Sequence, residues 1–262
     1  MKLLLKLAFD GKDFHGSQAQ PGLRTVQGVL TESLSGLIGR PVNVTGCSRT
    51  DSGVHAEGYV VSVTPRTEED GWLKIPAEKF HLAANNVLPG DISVTGAFIV
   101  NDDDFHPRYS VVGKKYVYRI YDSPVPSPFL RGRVYEYGKK ISDDSIVKMD
   151  EAAKRFEGRH DFTSFMASGS KITDATREVF SASVARCGDV VEFTVFADGF
   201  LYNMVRIMSG TLLDVAKGKT TARDIPEIIS VRDRAAAGET LPPEGLYLKE
   251  VIYPIKIDWL AE

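Results

Sequence analysis

At 262 residues the chain is long enough for one large domain or two small ones, and 43% hydrophobic against 26% charged residues is an ordinary globular composition. A formal net charge of −3 argues against binding nucleic acid through bulk charge, and no apolar run approaches the ~18 residues of a membrane span. Two cysteines, Cys47 and Cys187, exclude a disulfide framework and a cysteine metal cluster, and point to the reducing cytoplasm.

The opening MKLLLKLAFD carries Lys6 inside its apolar stretch, so it reads as a strand at 2–9 and not as a signal peptide. Thr25 caps a helix with Val26, Val29, Leu30, Leu34 and Leu37 on one face. Strands at 42–47 and 58–64 follow. Pro76 opens a second helix, with Phe80, Ala83, Ala84 and Val87 inward, and 91–100 is the fourth strand. This β-α-β-β-α-β order is the ferredoxin-like split unit, and the open face of such a sheet is a common RNA platform.

The later half reads similarly. A strand at 114–122 leads into a loop with Pro124, Pro126 and Pro128, then a strand at 133–137 and a helix at 142–156. A hairpin follows, 177–186 with 190–197. A helix at 199–217 turns Leu201, Val205, Met208 and Leu212 inward and ends at Gly218. Pro242-Pro243 precedes a last strand at 245–253. The expected class is α+β: two ferredoxin-like, RRM-like halves with antiparallel sheets, 1–104 and 105–262, and the active cleft between them.

Charge is unevenly spread. Between 105 and 140 stand Arg108, Lys114, Lys115, Arg119, Arg131, Arg133, Lys139 and Lys140 against Asp122 and Glu136, a net +6. Tyr109, Tyr116, Tyr118, Tyr121 and Tyr135 are interleaved with them. Basic charge among aromatics suits phosphate contact with base stacking, although a solvated strand face has the same composition. The acidic blocks at 68–70, 102–104 and 143–144 are expected to face away from phosphate.

The most informative segment is GCSRTDSGVHA at 46–56, which puts Arg49, Thr50, Asp51 and His55 on a loop between two strands. Asp-Ser-Gly is ordinary turn material, and by shape alone the loop needs no chemistry. The segment nevertheless resembles the G-x-G-R-T-D-A-G-V-H-A signature of the TruA family of tRNA pseudouridine synthases. Further stretches match that family in order: FDGKDFHGSQAQPGLRTVQGVL at 9–30, LAANNVLPGDISV at 82–94 and FHPRYSVVGKKYVYRI at 105–120. GRHDFTSF at 158–165, GFLYNMVRIMSGTL at 199–212 and PEGLYL at 243–248 complete the set. The chain departs from the pattern at Ser17, where Trp or Phe is common. It departs again at Ser48 and Ser52, in place of Gly and Ala, and at Lys114 and Lys115, in place of Arg.

The resemblance implies an isomerase that converts uridine to pseudouridine in the tRNA anticodon arm, at about positions 38 to 40. It implies a homodimer and no membrane partner. Asp51 is implied as the nucleophile, Arg206 as its cation and Tyr116 as the active-site aromatic. Leu246 is implied as an apolar floor; Arg49, Arg108, Lys114 and Lys115 are the candidate RNA contacts. On residue type alone Tyr118, two positions along the same strand face, is equivalent to Tyr116, and Arg206 is one polar residue on an amphipathic helix. The isomerisation needs no redox step and no hydrolysis, so no cofactor is expected.

His15, His55, His81, His106 and His160 lack metal-ligand spacing, and His55 is expected to be a satisfied loop histidine. The GKT at 218–220 is not a P-loop, since Leu213 stands where its first glycine belongs. Other readings are a silent RNA-binding module, a paralogue with a different RNA target, or a hydrolase using Asp51. The last lacks a paired carboxylate near Asp51 other than Glu57.

Overall fold

In a computed structural model that describes residues 1–67, 71–169 and 172–259, the chain divides into two units. The first takes Met1–Val112 and the segment from Leu248 onward, and the second is Gly113–Tyr247. The division differs from the expected 104/105 boundary: residues 105–112 and the returning end of the chain join the first unit. The acidic block at 68–70 lies outside the described residues.

In the first unit β1 (Lys2–Phe9) is flanked by β3 (His55–Pro65) and β4 (Ile92–Val100), both antiparallel to it, with Leu5 opposite Val61 on one side and Ala97 on the other. β2 (Val42–Gly46) pairs with the second half of β3, Val42 opposite Pro65 and Gly46 opposite Val61. The order β4-β1-β3-β2 is that of the split unit. Helix α1 (Val26–Ile38) packs on β2, and α2 (Ala77–Asn85) packs on β4. Thr25 Oγ1 accepts the Gly28 N–H at 3.2 Å, the expected cap. Val26, Leu30 and Leu34 are buried as the pattern requires, while Val87 lies beyond the end of α2 and is exposed.

Leu3, Leu4, Leu5 and Leu7 are fully buried, so β1 is covered on both faces. Part of that cover is Trp259, whose ring receives Lys6 and against which a Cβ at Gly96 would press at 2.9 Å. The sheet face carrying Lys6 is therefore not the open platform expected of the bare split unit.

The second unit orders β5 (Gly113–Tyr121), β9 (Val190–Ala197), β8 (Thr176–Cys187) and β7 (Gly158–Asp161) side by side, all antiparallel. Helix α3 (Asp143–Ala153) packs on β8 and on α4 (Met204–Ala216), and a short α5 (Ile225–Val231) follows. The expected strand at 133–137 contracts to β6 (Tyr135–Glu136), parallel to β5, because Gly138 at φ 70° turns the chain away. The expected helix from 199 begins only at Met204, because Asn203 is left-handed at φ 60° and a helix cannot run through it. No helix among the described residues is long and apolar enough to cross a membrane.

Candidate functional site

Asp51 sits half-buried on the loop between β2 and β3, and the loop is pinned on both sides of it. Ahead of it, Tyr59 donates its hydroxyl to Ser48 O at 2.5 Å, and the Thr50 N–H donates to Ser17 Oγ at 2.8 Å. The Ser17 N–H returns a bond to Thr50 O at 3.1 Å. Behind it, the Gly53 N–H and the Ser52 hydroxyl both donate to Phe14 O, at 3.3 and 3.1 Å. The Val54 N–H closes onto Asp51 O at 3.2 Å, with Gly53 at φ 80° completing the turn.

Two glycines let the segment at 11–17 come this close. A Cβ at Gly11 would stand 2.0 Å from Val54 O, and one at Gly16 would stand 2.8 Å from Thr50 O. A cradle of close backbone contact, joined by the short side chains of Ser17 and Ser52, is a way to hold a loop carboxylate in place. His55 opens β3 and is almost wholly buried, its Nδ1 2.9 Å from Gly11 N and 3.2 Å from Asp10 Oδ1. Arg49 is exposed. It lines, with Arg108, one cavity of about 180 Å³ in the first unit.

The other candidates lie in the second unit. Tyr116 stands on β5 opposite Val195, buried, in an edge-to-face contact with Phe200 at 5.0 Å between ring centroids. Tyr118 is fully buried and donates its hydroxyl to Pro242 O at 2.7 Å. Burial first, and then the charge of Glu244, hold that phenol well above its usual range. The Tyr118 hydroxyl is thus committed to a backbone carbonyl. Lys114 and Lys115, just before Tyr116, are half-buried strand residues opposite Ala197 and Phe196.

Arg206 does not project freely from its helix. Its Nε donates to Leu241 O at 2.6 Å and its Nη1 to Asn203 Oδ1 at 2.7 Å. The 238–241 segment reaches α4 because two glycines face each other there. A Cβ at Gly210 would meet Glu239 O at 2.0 Å, and one at Gly238 would meet Thr211 N at 2.5 Å. Leu246 begins β10 (Leu246–Ile252), buried, after a single turn at Pro243–Gly245. Gly245 is needed at that turn, since a Cβ would stand 2.7 Å from the Tyr118 ring.

The +6 stretch carries less free charge than its composition suggests. Arg119 pairs with Glu192 at 2.8 Å and stacks over Tyr247, and Lys140 reaches Asp122 at 3.4 Å. These acids come from elsewhere in the fold or from the stretch itself. Sequence reasoning did not single out Phe200, beside Tyr116, or Asn203, beside Arg206. An Asn just before a helix, tolerant of the left-handed region, was the one available signal. Among the described residues no His, Cys, Asp and Glu group could hold a metal ion.

A family model described as tRNA pseudouridine synthase matches residues 152–254. A tRNA pseudouridine synthase A of Ruminiclostridium cellulolyticum is 42% identical over 253 residues, covering 96% of this chain and 99% of its own length. One of Acetivibrio thermocellus is 43% identical over 253 residues, covering 97% and 99%. Among solved structures, a chain in a crystal structure of a Cbf5-Nop10-Gar1 complex is 11% identical, covering 94% of this chain and 58% of its own, at a TM-score of 0.37.

Proposed function

The chain belongs to the tRNA pseudouridine synthase A family, and from that premise we propose that it isomerises uridine in the anticodon stem-loop of tRNA, at about positions 38 to 40, with Asp51 as nucleophile. Family membership makes it an isomerase acting on tRNA. The observation that carries the finer reading is the cradle: Asp51 is half-buried on a loop whose backbone is bonded to 14–17 on both sides.

A uridine in a stem hides its glycosidic bond, so the nucleotide is first extruded. The bond from the anomeric carbon to N1 breaks, the ring rotates, and the anomeric carbon rejoins at C5, which gives up its proton. Substrate and product have the same atoms, and the chemistry needs neither oxidant nor water. Asp51 is the nucleophile, attacking the sugar or the uracil ring, and it is regenerated at the end. The Tyr116 ring stacks on the extruded base and its hydroxyl helps remove the C5 proton. Arg206, oriented by Asn203 and Leu241 O, supplies positive charge to the anionic reacting groups. Leu246 gives the base an apolar floor, and Arg49, Arg108, Lys114 and Lys115 contact RNA. A homodimer completes the proposal.

The test is Asp51→Ala with an unmodified tRNA transcript. Pseudouridine formation is expected to disappear while binding persists, because phosphate contacts dominate affinity. Near-normal turnover would remove Asp51 from the mechanism. Transcripts with cytidine at 38, 39 and 40 in turn test the target positions, and light scattering with and without tRNA tests the dimer.

A further inference from the structure

The cavity that Arg49 and Arg108 share lies beside the Asp51 loop, but Asp51 does not line it. No carboxylate lines it either, and among the described residues neither arginine pairs with one. Two guanidinium groups around one concavity repel each other until an anion enters.

Three rings, Tyr59, His106 and Tyr109, share the lining with the apolar Val26, Leu30, Val44 and Val61. His106 and Tyr109 stack with ring centroids 4.5 Å apart and planes 33° apart, and Tyr109 is 76% exposed. The Arg108 N–H donates to His106 Nδ1 at 3.1 Å, so the neutral ring carries its proton on Nε2. Burial first, then the charges of Lys2 and Arg108, lower the His106 pKa and favour that neutral form.

The turn bearing these residues is fixed from below. Phe105 is buried against Tyr253, whose hydroxyl donates to Pro107 O at 2.8 Å, and Lys2 Nζ donates to Phe105 O at 2.7 Å. Ser17, small and buried, also lines the cavity. A volume of about 180 Å³ corresponds to about six waters, room for a single base.

We infer that this cavity holds one unpaired nucleotide of the tRNA other than the one that reacts, its base on the Tyr109–His106 stack and its phosphate between Arg49 and Arg108. The inference rests on the tRNA reading above and adds a second anchoring point within the first unit. Such an anchor fixes the register of the RNA, which sets which uridine reaches Asp51.

Unmodified transcripts carrying a single 5-iodouridine at each unpaired anticodon-loop position are photocrosslinked and the attached peptide mapped. One position is expected to attach to the peptide holding Tyr109. Tyr109→Ala is expected to raise the transcript Kd roughly 5- to 150-fold, the equivalent of 1–3 kcal/mol of stacking, while Tyr109→Phe binds like the wild type. Arg108→Gln is expected to flatten the salt dependence by about 0.7 in the log–log slope. A wild-type Kd for Tyr109→Ala overturns the proposal, and together with a flattened Arg108→Gln slope it leaves a bare phosphate contact instead. Crosslinks confined to other peptides also overturn it. Mapping pseudouridine in unsubstituted transcripts reads the isomerase separately, so failure of the pocket and failure of the proposed reaction give different results.

Discussion

Asn203 holds Arg206 from a backbone conformation that few residues adopt. Its Oδ1 accepts the Arg206 Nη1 proton at 2.7 Å while its own φ and ψ stand at 60° and 9°. Asn tolerates the left-handed region better than other side-chain-bearing residues, and here the same residue ends the loop, starts α4 and orients a guanidinium. Asn203→Gly separates these jobs, because glycine enters that region without strain. We expect an unchanged or slightly raised melting temperature and a single-turnover rate down by about 10²-fold. Wild-type rates would mean that Leu241 O suffices to place Arg206.

Tyr116 and Tyr118 should part company under the same substitution. Tyr116→Phe is expected to bind tRNA well and lose ~10²–10⁴-fold in rate, the usual worth of proton-transfer help. Tyr118→Phe leaves Pro242 O without its donor and should cost about 1–3 kcal/mol of stability with little effect on the rate at saturating tRNA. Urea melts beside single-turnover assays distinguish the two.

Acid should loosen the second unit through Asp122. This carboxylate is wholly buried, which pushes its pKa up, but bonds from Arg186 at 3.1 and 3.2 Å and from the Ile141 N–H at 2.9 Å outweigh burial, and the net shift is downward. The folded state therefore binds this proton more weakly than the unfolded chain. The contribution is complete above the ordinary carboxyl value near 3.8 and is lost as pH falls toward the lower folded value. Asp150, Asp174 and Asp224 are shifted the same way, so the melting temperature should drop below about pH 4, with Asp122→Asn removing only its own share. At neutral pH Arg186→Met leaves the buried carboxylate with only Lys140 at 3.4 Å and the Ile141 N–H at 2.9 Å, and should cost about 1–3 kcal/mol.

Gly11→Ala should damage the Asp51 loop from outside it. The added methyl would meet Val54 O, a backbone atom that cannot move alone, at a cost of about 1–3 kcal/mol. We expect a loss of turnover larger than the fraction unfolded explains. Gly36→Ala, in an exposed turn of α1 with nothing within 4 Å of the new methyl, is the control, and should be neutral or stabilising by up to about 1 kcal/mol.

Helices with a polar cap and a regular apolar stripe could be read directly: Thr25, Ser142 and the leucines of α1 specify their elements locally. Strands bounded by turn residues could be read for the same reason. The contraction of the 133–137 strand could not, because it depends on a tertiary partner strand and a glycine conformation that the pattern does not encode. The loop bearing Asp51 was legible as a loop. What makes it rigid, Ser17 and Phe14 reaching across some thirty-five positions, was not. The Leu241 carbonyl that orients Arg206 is a backbone atom and leaves no mark in the sequence. Charge misled for a related reason: Arg119 looks free until the fold sets Glu192 opposite it.

The return of the chain to the first unit after Leu248 sets a schedule for synthesis. β3 gives its second half to β2, and a Cβ at Gly58 in its first half would stand 2.4 Å from Lys249 O, so that edge is closed by a strand made after the second unit. At ribosomal speeds of 5–20 residues per second the first unit waits on the order of ten seconds for this strand while the second is translated. During that interval β3 presents unpaired backbone groups, the kind of edge that recruits a neighbouring nascent chain. Glu57 and Lys249, which later pair across the closed edge, put a charge on each strand. Until its partner arrives the acidic side chain guards the gap, because inserting a foreign strand there would bury it unpaired.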